Sequence, residues 1–322
     1  MSIITKTKRV LRKAQKALPV RWLVSYIRIG RGKRLEKKYS DYEYIKCAYK
    51  SCAGVEPDFI NPKRYSEKLQ WLKLFYRDPI MPICSDKYKV REYLEEKGYG
   101  YLLNNLIAVY DSAKDINPNE LPERFAMKTN HGSNWNLICT NKKKINWFWW
   151  RRLFSTWLKR NLYTYGREWN YKEIEPKIIV EEFLEYSPLI DYKFMCFNGE
   201  PKYLQINHDI DNKHYVDFYD IEWNKLDFTY KNFHTSNITL PKPLLFDEMK
   251  SIATDLCTGF PHVRVDFYSF EKRIIFGEMT FFPSSGMHYP NPVEKDIMLG
   301  NELILPEPNH NLELLKQIQN NK

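Results

Sequence analysis

The clearest alternation of apolar and polar positions lies near the C-terminal end of the chain. In HVRVDFY (His262–Tyr268), Val263, Val265 and Phe267 fall on one side, Arg264 and Asp266 on the other. RIIFGEMTFF (Arg273–Phe282) alternates in the same way and puts Glu278 and Thr280 on one face. A side-chain direction that reverses at every residue is that of a β-strand. The short linker Ser269–Lys272 suits a hairpin of antiparallel strands. With Tyr268 paired near Ile274, Glu278 lies opposite Arg264 and diagonal to Asp266. Two carboxylates and a guanidinium then converge on one face, where like charges repel unless something is bound. A divalent cation carrying a polyphosphate would relieve that repulsion.

Upstream the pattern changes. From Tyr39 to Tyr99 it is helical. SEKLQWLKLFYRDP (Ser66–Pro79) opens on a capping Ser66 and lines Leu69, Leu72, Leu74 and Phe75 near one face before Pro79. SDKYKVREYLEEKGYG (Ser85–Gly100) reads as a second helix ending at Gly98. Leu102–Tyr110 and Arg124–Lys128 read as strands. Asn146–Tyr163 reads as an aromatic helix, with Trp147, Trp150, Phe154 and Trp157 on one stripe. Strands dominate from Lys177 onward. KIIVEEFL (Lys177–Leu184) is apolar enough to be buried on both faces, and DYKFMCF (Asp191–Phe197) turns at Asn198–Gly199. A helix over Leu245–Gly259 precedes the carboxylate hairpin. The class this predicts is α+β.

A chain of 322 residues can bury a sizeable core and form two domains. Its hydrophobic fraction of 43% argues against general disorder, and its aromatic fraction of 16% serves either a core or ring stacking on a ligand. The net charge of +10 is uneven: residues 1–38 carry +12, which leaves −2 for the rest. A body of that charge does not track nucleic acid. The basic segment favours contact with an anionic surface or partner. It reads as two pieces broken by Pro19. Val10, Leu11, Ala14 and Leu18 share a face in the first, and Trp22 to Ile29 are rich in apolar residues between Arg21 and Arg31. Neither piece approaches the roughly 20 apolar residues of a membrane span. The pattern fits a helix lying on an anionic leaflet; the alternatives are a solvated basic arm or a helix packed on the body. No secretory signal is present, so the expected location is cytoplasmic, with peripheral attachment to the inner face of the membrane as a variant. Six scattered cysteines without a CxxC pair predict neither zinc nor disulfides.

Other polar positions punctuate the strands. Lys128 ends RFAMK and precedes the loop TNHGSNWN (Thr129–Asn136), a place suited to phosphate contact or to a solvated lysine before a turn. Asp191 and Lys193 share a face, as a neutral pair or as a grip on a ribose hydroxyl and a phosphate. The strand exit Glu181–Leu184 offers backbone groups to an adenine edge.

Seven segments, NPKRYSEKLQWLKLFYRDP, SDKYKVREYL, FAMKTNHGS, PKIIVEEFLE, DYKFMCFNGEPK, HVRVDFY and FGEMTFFPSSG, follow one another over Pro62–Pro306. Together they resemble the ATP-grasp superfamily, and within it the teichuronopeptide-biosynthesis-like (TupA-like) branch. The resemblance implies two α+β domains clasping ATP, here 101–182 (with the aromatic insertion 146–163) and 183–306 (with the metal-site hairpin). Around them lie a basic segment 1–38, a helical region 39–100 and a tail 307–322. It implies that Lys128 and Lys177 contact the phosphates and that Glu181, Glu182, Phe183 and Leu184 form the adenine hinge. Asp191 would bind the ribose with Lys193 nearby, Arg264 and Lys193 would serve the transferred phosphate, and Asp266, Glu278 and Thr280 would hold magnesium. Two positions depart from the pattern: Thr280 stands where many relatives carry Asn, and HGSNWN has fewer glycines than their loops.

The reaction so implied turns a carboxylate into an acyl phosphate, from which an amine displaces phosphate. The branch's association with cell-surface polysaccharides implies a uronic acid and an amino acid or amine as substrates. Acceptor contacts are sought in Trp147, Trp149, Trp150 and Trp157, which otherwise simply bury area. They are sought too in FPSSGMHY (Phe282–Tyr289), with Ser284, Ser285 and His288. No histidine is assigned to catalysis. A different class stays open: a glycosyltransferase using a nucleotide sugar, whose metal would sit on the D-x-D triplet Asp209–Ile210–Asp211.

Overall fold

The computed structural model describes residues 17–185, 190–210, 213–231, 233–270 and 273–320. The first piece of the basic segment lies outside them.

Helix α1 (Leu18–Lys38) is continuous. It begins at the Pro19 boundary, with Ala17 extended, and proline suits its first turn because the N–H it lacks would have no partner there. A capping box between Ser40 and Glu43 starts α2 (Asp41–Ala53), and left-handed Gly54 ends it. The next helix, α3 (Tyr65–Phe75), begins one residue before the expected cap. Glu67 caps it by accepting the N–H groups of Lys63 and Arg64. Ser66 instead donates its N–H and hydroxyl to buried Asp296 at 2.9 and 2.6 Å. Short α4 (Ile80–Ser85) and α5 (Val90–Glu96) follow; the predicted second helix begins only at Val90, after a turn in which the Asp86 carboxylate accepts the N–H of Tyr88.

Two antiparallel sheets carry the rest. In the first, β1 (Leu106–Tyr110), β2 (Phe125–Thr129), β3 (Asn136–Cys139) and β4 (Ile178–Glu182) are ordered β1-β4-β2-β3. The second uses β5 (Asp191–Phe197), β6 (Glu200–Ile210), β7 (Lys213–Asp220), β9 (His262–Phe270) and β10 (Arg273–Thr280). Its order is β10-β9-β5-β6-β7. Two short strands, β8 (Thr229–Tyr230) and β11 (Pro290–Asn291), pair with each other. The α+β class holds.

Each sheet has its own core. Phe125, Met127 and Val180 of the first pack with Leu153, Phe154 and Trp157 of α6 (Trp147–Trp157). Helix α6 is shorter than predicted because Asn161 accepts the N–H of Tyr163 and starts a new turn, α7 (Tyr163–Gly166). Phe194, Leu204, Val265 and Phe267 of the second sheet pack with α3 and with α8 (Phe246–Cys257), near α9 (Val293–Glu302).

Helix α1 covers α6 and α7. Trp22 meets Trp149 at 6.0 Å between ring centres, and Trp157 donates its Nε1–H to Ser25 at 3.3 Å. Gly32 permits the close approach, since a Cβ there would lie 2.6 Å from the Thr164 hydroxyl. From Leu18 on, the basic segment is part of the body; of the aromatic stripe Phe154 and Trp157 are buried, while Trp147 and Trp150 are half-buried. No described helix is long and apolar enough to cross a membrane.

Candidate active site

A cleft of about 500 Å³ runs between the two sheets. Lys128 and Glu181 line it from the first sheet, and Asp191, Lys193, Asp266 and Glu278 from the second. Glu182, Phe183 and Leu184 of the strand exit also line it, as does the loop Gly132–Asn134.

The charged wall is built by β5, β9 and β10. Lys193 pairs with Asp266 in the β5–β9 ladder, and its ammonium reaches both Asp266 and Asp191 at 2.5 Å. The register of β10 against β9 differs from the expected one. Ile275 pairs with Tyr268, and a bulge between Phe276 and Glu278 sets Glu278 opposite Asp266 and Thr280 opposite Arg264. Gly277 occupies the bulge, where a Cβ would come 3.0 Å from the Asp266 carbonyl oxygen. Glu278 is therefore across from Asp266, not from Arg264. Arg264 grips Asp266 with Nε and Nη2 at 2.7 and 2.8 Å and reaches Glu278 at 3.4 Å. Lys87 pairs with the other Glu278 oxygen at 3.1 Å.

Burial and charge oppose each other here. Burial works to raise the Glu278 carboxyl, but Lys87, Lys193 and Arg264 outweigh it and hold it well below the usual range. Burial pushes Asp191 up to about 6 against the pull of Lys193. Burial disfavours the charged Lys193 ammonium, yet Asp266 first and Asp191 after it keep it above its ordinary value. One Asp191 oxygen, Oδ1, is buried without a partner at the cleft wall, an acceptor open to a ligand donor.

The opposite wall is equally connected. Lys128 pairs with Glu181 at 2.7 Å, and Arg91 approaches the same carboxylate at 3.7 Å. Asn104 donates to the Glu182 carbonyl and the Asn105 carbonyl accepts the Glu182 N–H, so both main-chain groups of Glu182 are engaged. The loop after β2 is held by Asn130, which donates to Asp86 and accepts the N–H of Lys177. Lys87 donates to the Gly132 carbonyl at 3.1 Å and so ties this loop to Glu278. Gly132 lies so close to the Trp135 ring that a Cβ would come within 2.1 Å of it.

Some expected residues stand elsewhere. The Lys177 ammonium pairs with Asp111 and Glu175 and is not among the lining groups. Arg264 and Thr280 stand behind Asp266 and Glu278 and do not line the cleft. Ser284 and Ser285 lie in a turn with positive φ, Ser285 bonded to buried Glu168; neither they nor His288 line it. Asp209 sits near the exposed end of the β6–β7 hairpin, bonded to His214 at 2.9 Å, and Asp211 lies outside the described residues.

The sequence pattern missed Lys87, Arg91 and Asn104. Lys87 and Arg91 stand in SDKYKVREYL, a segment with a helical reading that gives no hint of a cleft some 190 positions downstream in sequence. Among the described residues no group of three or more His, Cys, Asp or Glu side chains is arranged to hold a metal alone. Asp266 and Glu278 do fit magnesium, which takes one or two carboxylates and completes its shell with phosphate oxygens and water.

A family model described as TupA-like ATPgrasp matches residues 67–304. The chain belongs to this family. All the cleft residues named above fall inside that match. No curated protein matches the chain in sequence. Solved structures of ATP-grasp proteins are similar at a distance. D-alanine–D-alanine ligase from Helicobacter pylori is 14% identical over 76% of this chain and 70% of its own, with a TM-score of 0.39. The ATP complex of D-alanine–D-alanine ligase from Bacillus anthracis is 14% identical over 73% and 67%, with a TM-score of 0.37. L-amino acid ligase from Bacillus licheniformis is 13% identical over 72% and 51%, with a TM-score of 0.40.

Proposed function

We propose that this protein is an ATP-dependent carboxylate–amine ligase acting on a cell-surface saccharide or its precursor. The observation that carries the reading is the facing pair Asp266 and Glu278, with Lys193 and Lys87, across a cleft from Lys128 and the strand exit Glu181–Leu184. With Glu182 already engaged, the main chain of Phe183 and Leu184 is left to receive the adenine edge. The unpartnered Asp191 oxygen suits a ribose hydroxyl. Lys128 and Lys193 face the phosphates, and Lys87 holds the loop above them. Asp266 and Glu278 would hold magnesium, which when bound neutralises charge on the phosphates.

In the reaction a carboxylate oxygen of the substrate attacks the γ-phosphorus of ATP, and ADP leaves with the bridging electron pair. The nitrogen of an amine then attacks the acyl carbon, inorganic phosphate leaves, and the amine loses a proton. The chain's contribution is positioning and fixed positive charge around the moving phosphoryl group. Arg264, behind the carboxylates, is a positioning residue that fixes Asp266. Lys177 enters only if its pair with Asp111 opens on nucleotide binding.

The test is ADP release from ATP and magnesium across a panel of uronic acids combined with amino acids. Release that needs both a carboxylate and an amine, and that is lost in Glu278→Gln, supports the reading. Nucleotide-sugar turnover without ATP would replace it by the transferase reading. Nothing at Asp209 favours that second reading, because its carboxylate is exposed and engaged by His214.

A further inference from the structure

A second cavity, of about 670 Å³, lies on the other side of the loop after β2. Helix α1 forms one wall and the region between α6 and α7 the other. Ser133 and Asn134 line both this cavity and the nucleotide cleft, so a single loop separates them. Four arginines line it, Arg21, Arg28, Arg31 and Arg160, and no acid does. Among the described residues none of the four guanidiniums has a carboxylate within 4.0 Å. Residues 1–16 hold six Lys or Arg and no Asp or Glu, so the remainder of the basic segment supplies no counter-charge either.

Two of the guanidiniums are held in place. Arg160 is only 9% exposed, lies 4.4 Å from the centre of the Trp135 ring, and leaves its Nε–H without a partner. Burial, and after it the charge of Arg28, push Arg160 down to about 10. Arg21 stands 4.8 Å from the Trp157 ring and donates to the Asn134 carbonyl at 3.1 Å. Stacked guanidiniums are pre-oriented, and their planar donors match phosphate oxygens two at a time. A buried cation without a counter-ion is costly, and an incoming anion offsets that cost.

We propose that this cavity seats the phosphate or diphosphate group of a sugar phosphate ester, which is the acceptor saccharide of the ligase. That this ester is the acceptor rests on the proposed function; the anion site itself does not. Arg160 and Arg21 would hold the phosphate against the loop, and Arg28 and Arg31 at the open edge would gather a second charge. Because Arg21 grips Asn134 while Lys87 grips Gly132, the loop would register both ligands. The diphosphate could belong to a soluble nucleotide sugar or to a polyprenyl carrier in a membrane.

The experiment measures binding of inorganic pyrophosphate, UDP-glucuronic acid, and vesicles carrying undecaprenyl diphosphate to the full chain saturated with magnesium and a non-hydrolysable ATP analogue. Binding of UDP-glucuronic acid or of the vesicles names the source. Either should weaken at least tenfold in Arg28→Glu/Arg31→Glu, which alters only exposed side chains, and in Arg160→Gln. The thermal shift given by the ATP analogue should persist in the double variant, which serves as the folding control. Binding of none of the three probes overturns the proposal, as does binding that the double variant leaves intact or that is seen only when the ATP analogue is left out. Absence of ADP release with binding intact would instead remove the ligase reading and leave the anion site standing.

Discussion

Glu278 stands directly across the β9–β10 ladder from Asp266, and both carboxylates draw on the Arg264 guanidinium. They are not equivalent. The Asp266 side chain is 2% exposed and that of Glu278 is 35% exposed. Removing the charge of Asp266 leaves Arg264 and Lys193 buried together without it, a loss of about 3–5 kcal/mol for a buried partner. Asp266→Asn should therefore lower the melting temperature severely. Glu278→Gln should melt below the parent but above Asp266→Asn, because its carboxylate is partly solvated, and should lose the magnesium-dependent part of the shift given by an ATP analogue. Melts with and without both ligands decide it. A Glu278→Gln protein that keeps the whole magnesium-dependent shift would remove the metal site from this pair.

Gly132→Ala tests the loop between the two cavities. The new methyl group would fall 2.1 Å from the Trp135 ring, so the loop or the ring must move. Overpacking of this kind costs about 1–3 kcal/mol. Because Lys87 holds Gly132 from the cleft side, the displacement should reach nucleotide affinity and weaken it by at least tenfold, as read by titration with the ATP analogue. Unchanged affinity would mean that the loop closes over the phosphates independently of its resting contact with Trp135.

Asp296 predicts a pH dependence of stability. It is fully buried in α9, and burial pushes its carboxyl up to about 6 in spite of the two bonds from Ser66. The folded protein then binds this proton more tightly than the unfolded chain does. Stability from this group is full below about pH 4 and falls as pH rises toward about 6. Two pH units of separation correspond to roughly 3 kcal/mol. Asp296→Asn keeps an acceptor for the Ser66 N–H and does not titrate. Its stability relative to the parent should rise from pH 4 to pH 7 by up to that amount, as denaturant unfolding at each pH would read. A flat difference would mean that the Asp296 pKa is the same folded and unfolded.

What could be read from the sequence depended on how far each feature reaches along the chain. Alternation in His262–Tyr268 and Arg273–Phe282 revealed both strands and which side chains share a face, because that information is local. The one-residue offset of the hairpin and the bulge at Gly277 were invisible to it, and together they moved Glu278 from Arg264 to Asp266. The pairing of Lys177 with Asp111 spans 66 positions, and that of Lys87 with Glu278 spans more, so neither had a local signature. The α1 segment showed a basic and aromatic pattern that suits a membrane and a protein surface alike. Its contacts with the body, such as Gly32 against Thr164 and Trp157 against Ser25, distinguish them.

The same helix still offers a surface for a membrane. Leu23, Tyr26 and Ile27 are 48, 60 and 58% exposed on one side of α1, at the spacing of a single helical face. Arg21, Arg28 and Arg31 of the cavity lie on the same helix, and Lys33, Arg34, Lys37 and Lys38 follow toward its end. An apolar strip beside cations is what binds an anionic leaflet, and each cation near the surface adds about 1 kcal/mol. Peripheral attachment through this face is a proposal separate from the phosphate cavity. Leu23→Ser/Tyr26→Ser/Ile27→Ser removes exposed side chains only, so its melting temperature should stay near the parent's. Its co-sedimentation with phosphatidylglycerol vesicles should fall at least tenfold. If the triple variant binds as well as the parent, the exposed strip is not the contact. If binding survives the triple variant but is lost on deleting residues 1–16, attachment belongs to that earlier basic stretch and α1 serves the body alone.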